Sequence, residues 1–121
     1  MNLAASRERL LNTAYAAFNA RDIDRALTTM IPTVDWPNGM EGGYVHGHDE
    51  IRAYWTRQWG LIDPTVTPVR FTHADDEVVV DVRQVVRDLA GTAVADVIVQ
   101  HAYQFDGDLI RFMEIRHPAE G

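Results

Sequence analysis

In the stretch Val97-Ile98-Val99-Gln100-His101-Ala102-Tyr103-Gln104-Phe105, one imidazole interrupts an alternating apolar row. Strand side chains point alternately to two faces, so Val97, Val99, His101, Tyr103 and Phe105 share one of them. That face is predicted to be the core face, with Asp96, Ile98, Gln100, Ala102 and Gln104 outside. A titratable ring on a buried face must be hydrogen-bonded, shifted in pKa, or engaged with a ligand. Near neutral pH, His101 could act as a general acid or base, a contribution of about 10² to 10⁴ in rate. A structural imidazole bonded to a carbonyl or a tyrosine hydroxyl fits the same pattern.

Other residues could join it. Gln84 interrupts the row Val80, Val82, Gln84, Val86, and a buried amide costs free energy unless it is bonded. It would stand on the strand paired with that of His101, so the two satisfy each other or both meet a ligand. Asp35 and Trp36 are adjacent, so only one can face inward on a regular strand. Hydrophobicity selects Trp36 as a wall, and Asp35 becomes a base only if Pro37 and the following glycines distort the strand. From residue 109 to 116 the alternation is ambiguous: Ile110, Phe112 and Glu114 form one row, and Arg111, Met113 and Ile115 the other. Tyr15, Trp55, Trp59, Tyr103 and Phe112 are predicted to be core or cavity wall, suited to apolar ring-shaped ligands. His46 and His48, two apart beside Asp49, lack a further spaced ligand, so no metal site is read from them.

These residues need elements to hold them. Leu10, Leu11, Ala14, Tyr15, Ala17 and Phe18 recur at helical spacing over residues 7–20, with Ser6 as N-cap. Asp22 caps a second helix with apolar face Ile23, Ala26, Leu27 and Met30, ended by Pro32. Val34-Asp35-Trp36 reads as a short strand. Gly47-His48-Asp49-Glu50 opens a third helix carrying Ile51, Tyr54, Trp55 and Trp59, and its acidic first turn suits the helix dipole. Pro64 and Pro68 bracket a predicted loop before a short strand over 69–72. Long strands then run from Glu77 to about Leu89 and through the His101 stretch. Asp106-Gly107-Asp108 turns the chain into a last strand, 109–116. Helices followed by consecutive antiparallel strands give an α+β class. Three N-terminal helices would pack on a strongly curved, mostly antiparallel sheet, forming a cone with a central pocket.

The chain has 121 residues, the size of one domain, and residues 1–121 are read as that single domain. Its 18 acidic and 11 basic residues leave a formal charge of −7, and the basic ones are scattered arginines. Nucleic acid and anionic membrane surfaces reward clustered cations, so neither is expected as a partner. With no cysteine, disulfides and thiolate chemistry are excluded. Absence of a signal-like or membrane-spanning apolar run makes a cytoplasmic location the default. Exposed apolar residues on the outer sheet face, Ile98, Ala102 and Val85, predict a homodimer.

Tyr15-Ala-Ala-Phe18-Asn19-Ala-Arg-Asp22-Ile23-Asp24 resembles the opening helices of the nuclear transport factor 2-like fold. Gly47-His-Asp-Glu-Ile51-Arg-Ala-Tyr54-Trp55 and His101-Ala-Tyr103-Gln-Phe105-Asp-Gly107 resemble the third helix and last hairpin of its SnoaL-like and ketosteroid-isomerase-like branch. The resemblance covers nearly the whole chain and implies the fold. It speaks less to chemistry, because isomerases, cyclases, dehydratases and non-catalytic binding domains share that fold. The ketosteroid isomerase positions for the helix-one Tyr, the base and the oxyanion-hole Asp fall on Ala14, Trp36 and His101, so that mechanism is not expected. The family register turns Ile110, Phe112 and Glu114 inward, which would make Glu114 and His101 an acid–base pair. The resemblance implies a small apolar ring or carbonyl compound as ligand. If catalysis occurs, it would be cofactor-free isomerisation, cyclisation or dehydration by His101, with Glu114 or Asp35 and Gln84 assisting. The competing class is a non-catalytic ligand-binding or dimerisation module.

Overall fold

The computed structural model describes residues 3–117. Helix α1 (Leu3–Asn19) buries Leu11, Ala14, Tyr15 and Ala17 on one stripe. It starts upstream of Ser6, which therefore lies inside the helix and accepts from Arg9 instead of capping. Asp22 does cap α2 (Ile23–Leu27), accepting the Arg25 N–H at 3.2 Å. That helix is shorter than its apolar period suggests, because Met30 already begins β1 (Met30–Pro37). Strand β2 (Tyr44–His46) follows, and then α3 (Gly47–Trp59), which buries Ile51, Tyr54 and Trp55. Gly47 links them with φ at +81°, a left-handed conformation that penalises any side chain. The third helix is thus separated from the first two by a pair of strands.

Strands β3 (Asp63–Ala74), β4 (Glu77–Arg87), β5 (Ala93–Asp106) and β6 (Leu109–Arg116) complete one curved six-stranded sheet, in the order β2-β1-β6-β5-β4-β3. All neighbours are antiparallel except β1 and β6. The stretch containing Pro64 and Pro68 is strand, not loop. The reason is position: β3 is an edge, where a missing N–H need not break a ladder, and the register slips between Pro68 and Arg70. Asn19, at the end of α1, covers part of that edge. Its amide donates to the Val66 carbonyl at 2.7 Å and accepts the Val66 N–H at 2.9 Å.

The core lies between the inner sheet face and the helices, with Val78, Val80, Val82 and Ile110 fully buried. On β5, Val99, His101 and Tyr103 are buried as their alternation requires. Val97 is not. It is 47% exposed, toward the start of β5 where Val94 and Ile98 are exposed too. Phe105 is half-buried, with the Arg7 guanidinium 4.5 Å above its ring. The outer face carries paired polar side chains. Arg83 bonds both oxygens of Asp96 at 3.0 and 2.7 Å, and Arg116 bridges Glu77 and Glu114 at 2.7 Å each. Of the three apolar residues expected there, Ile98 is exposed, Val85 is half-buried and Ala102 is buried.

Candidate functional site

Helix α1, helix α3 and the inner sheet face enclose a cavity of about 180 Å³. That is slightly more than the ~150 Å³ engineered cavity that accepts benzene, so its scale suits one or two rings. Its walls include Tyr15, Trp36, Trp55 and Tyr103, four of the expected wall residues. The rings meet edge-on: Trp36 and Trp55 lie 5.8 Å apart at 86°, and Tyr15 and Tyr103 lie 6.2 Å apart at 89°. Edge-to-face contact joins the positive rim of one ring to the negative face of the next. His101 and Gln84 also line the cavity.

His101 stands at the end of a buried relay. The Tyr103 hydroxyl donates to the Tyr15 hydroxyl at 2.8 Å, and the Tyr15 oxygen lies 2.9 Å from His101 Nδ1. If Tyr15 donates to Nδ1, both hydroxyl protons are used, and the ring's own proton sits on Nε2. In the opposite assignment Nδ1–H donates to the Tyr15 oxygen, and one of the two hydroxyl protons, in place of the Nε2 proton, has no acceptor among the described residues. Nε2 has no hydrogen-bond partner among the described residues. Burial lowers the His101 pKa to about 4, so the ring is neutral at pH 7. Burial also raises Tyr15 well above the ordinary tyrosine value, reinforced by Tyr103, and raises Tyr103 against a smaller opposing pull from its bond to Tyr15.

Two expected partners of His101 lie elsewhere. Glu114 stands opposite Ala102, whereas Ile115 stands opposite His101. Between the pairs Phe105–Ile110 and Gln104–Phe112, β6 advances two residues for one of β5. This bulge at Arg111 flips the strand's faces: Ile110 points inward before it, and Met113 and Ile115 after it. Glu114 is therefore turned away and accepts from Arg116 Nε at 2.7 Å, so it forms no acid–base pair with His101. Phe112 is turned out with it and stacks on Tyr44 at 5.7 Å. Asp35 lies outside as well, 2.6 Å from His46 Nδ1, and that bond raises the His46 pKa. The strand keeps its alternation there, so Trp36 takes the wall.

Trp59 is displaced from the cavity too. It packs on Phe18 and Trp55 with Arg21 4.9 Å over its ring, and its buried indole N–H has no partner among the described residues. Gln84 pairs with Val97 while Val80 pairs with His101. Four strand residues separate the two side chains, roughly 13 Å of rise, too far for them to bond each other. Gln84 makes no hydrogen bond among the described residues.

Sequence reading missed several wall residues. Tyr54 and Gln58 lie one helical turn apart on α3, a spacing that could have signalled their shared face. The Tyr54 hydroxyl accepts the Gly39 N–H at 3.1 Å and pins the loop carrying Met40, which touches both cavity and solvent. No periodicity points to Met40. Among the described residues, no three His, Cys, Asp or Glu side chains are placed to hold a metal, and no helix is long and apolar enough to cross a membrane.

Residues 11–113 match the model of the SnoaL-like domain. The chain belongs to this family. The SnoaL-like domain is a branch of the nuclear transport factor 2-like superfamily, in agreement with the resemblance read from its helices and last hairpin. Among solved structures, TerC, crystallised with polyporic acid, is 28% identical, with TM-score 0.82 over 93% of this chain and 91% of that one. A nuclear transport factor 2-like protein of unknown function from Burkholderia pseudomallei is 26% identical, with TM-score 0.82 over 97% and 92%. A Mycobacterium tuberculosis protein in complex with estradiol-17beta-hemisuccinate shares the fold at 17% identity, with TM-score 0.76 over 91% and 92%. No functionally curated protein matches the sequence.

Proposed function

We propose that this SnoaL-like domain binds a small, mostly apolar compound of one or two rings in a cone closed by its helices. Binding, rather than proton-transfer catalysis, is the reading adopted. The observation that carries it is the cavity lining: aromatic and apolar walls, neutral polar groups, and no carboxylate among the described residues. Isomerisation or cyclisation by proton abstraction calls for a base facing the substrate. His101 Nδ1 is engaged by the Tyr15 hydroxyl, and no carboxylate stands beside the ring to raise its basicity, which burial lowers. TerC's structure with polyporic acid supports the choice of a ring compound.

Burying roughly 250 Å² of apolar ligand surface is worth about 6 kcal/mol before ordering costs, enough for micromolar binding if the site is preformed. Two of the three tryptophans, Trp36 and Trp55, line the cavity and make intrinsic fluorescence a direct reporter. Titration with naphthalene-sized phenols and ketones is expected to quench that fluorescence saturably at micromolar concentration. A linear, non-saturating response to all of them would sink the reading.

Self-association through the outer sheet face is a separate proposal, resting on Ile98, 47% exposed, and the half-buried Val85. Sedimentation at micromolar concentration is expected to show a dimer. A monomer throughout would assign that face to solvent.

A further inference from the structure

We propose that the cavity has a second polar end, remote from His101, where the carboxamides of Gln58 and Gln84 take an uncharged group of the ligand that both donates and accepts, a hydroxyl or a carboxamide. This rests on the binding reading above and adds to it the place where the ring compound's polar substituent goes.

Gln84 stands on the inner face of β4 between Val82 and Val86, both buried, and opposite Val66 of β3, which is buried as well. It lines the cavity, and its amide makes no hydrogen bond among the described residues, so its donors and its acceptor are free for a ligand. Gln58 lines the same cavity from the last turn of α3. Its backbone carbonyl accepts the Ile62 N–H at 2.9 Å, and the chain then enters β3, which pairs Val66 with Gln84. The two amides therefore flank one short segment, 62–66. Val80, the residue opposite His101, lies four strand residues from Gln84, roughly 13 Å, so this end of the cavity is separate from the histidine.

Gln58 is only half satisfied. Its Nε2 donates to the Tyr54 hydroxyl at 3.2 Å, an oxygen that also accepts the Gly39 N–H, while its Oε1 is buried with no partner among the described residues. Turning the amide over lets the Tyr54 hydroxyl donate to Oε1 and leaves the NH2 group unmet instead. In both orientations Tyr54 holds one end of the amide and the other end lacks a partner. A buried polar group in that state costs free energy, and an apolar side chain of similar volume would not carry the cost. An amide offers a donor and an acceptor side by side, and a hydroxyl does both on one atom, so the fit holds whichever way either amide is turned.

The test compares naphthalene with 2-naphthol, which is un-ionised at neutral pH and differs by the hydroxyl alone. Each is titrated into the full chain while the glutamine side-chain NH2 signals and the tryptophan indole signals are followed by NMR. A buried hydroxyl left unbonded weakens binding relative to the hydrocarbon and a bonded one strengthens it, so the naphthol is expected to bind about five-fold tighter. The NH2 signals of Gln58 and Gln84 should move with the naphthol and far less with naphthalene, a readout that needs no variant to fold. Gln84→Met and Gln58→Met should each reduce the advantage of the naphthol, and the double variant should reverse it. Naphthol binding weaker than naphthalene, amide signals indifferent to it, or an advantage that survives the double variant would overturn the proposal, while saturation by naphthalene kept the binding reading intact. Saturation by neither compound would remove both.

Discussion

Lowering the pH from about 7 to about 4 is expected to cost the folded state roughly 3 kcal/mol through His101 alone. The native pKa is about 4 because burial opposes the charged ring, whereas the unfolded chain titrates near 6.5. Above 6.5 both states are neutral and the stability is fully present. Between the two values only the unfolded state binds the proton, so stability falls as pH falls. Below about 4 both states are charged and the slope from this residue ends. Urea unfolding across that window should show the loss, and His101→Asn should flatten it. The exposed His46–Asp35 pair has a raised pKa and works in the opposite sense, but it is common to both proteins and cancels in the comparison. Glu114→Gln should leave the His101 contribution unchanged, because Glu114 bonds Arg116 on the other face of the sheet. An unaltered slope in His101→Asn would show that the native imidazole titrates normally.

Tyr15→Phe is expected to destabilise the fold by about 2–4 kcal/mol, and Tyr103→Phe by only about 1. The asymmetry comes from the order of the relay. Tyr15 stands in the middle, so removing its hydroxyl orphans both the Tyr103 proton and His101 Nδ1 in a buried site. Removing the Tyr103 hydroxyl loses one bond and strands no donor. The double variant should cost less than the sum, since Tyr103→Phe also removes the proton that Tyr15→Phe orphans. Chemical denaturation of the three variants measures this. Equal costs for the two single variants, or strict additivity, would mean that the hydroxyls do not act as a chain. In Tyr15→Phe the His101 ring also loses the hydroxyl that bonds Nδ1, so its nitrogen signals should change while those of His46 do not.

Much of this was legible before any coordinates. The alternation along β5 placed Val99, His101 and Tyr103 on the core face, because a pleated strand leaves a side chain only two directions. Helical spacing found the buried stripe of α1 and Trp55 on α3, and the chemistry of Asp22 marked a cap. The family likeness in the opening helices and last hairpin fits the match over residues 11–113. All of these are local signals, written within a few residues of one another.

Tertiary structure decided the rest. The Tyr15–His101 bond joins residues 86 apart, and no spacing within either element encodes it. The bulge at Arg111 reversed the fate of Glu114 and Phe112, and it was hidden because both rows of β6 carry apolar residues. The period of two therefore stays silent on which row turns inward. Pro64 and Pro68 read as loop because a strand's need for its N–H groups depends on whether a neighbour is present, and only the sheet order shows that β3 lacks one. Val97 read as core because alternation reports which face a residue is on and not whether anything covers that face. A sequence fixes directions relative to its own backbone. Burial, and with it the neutral charge state of His101, depends on what other segments bring to that face.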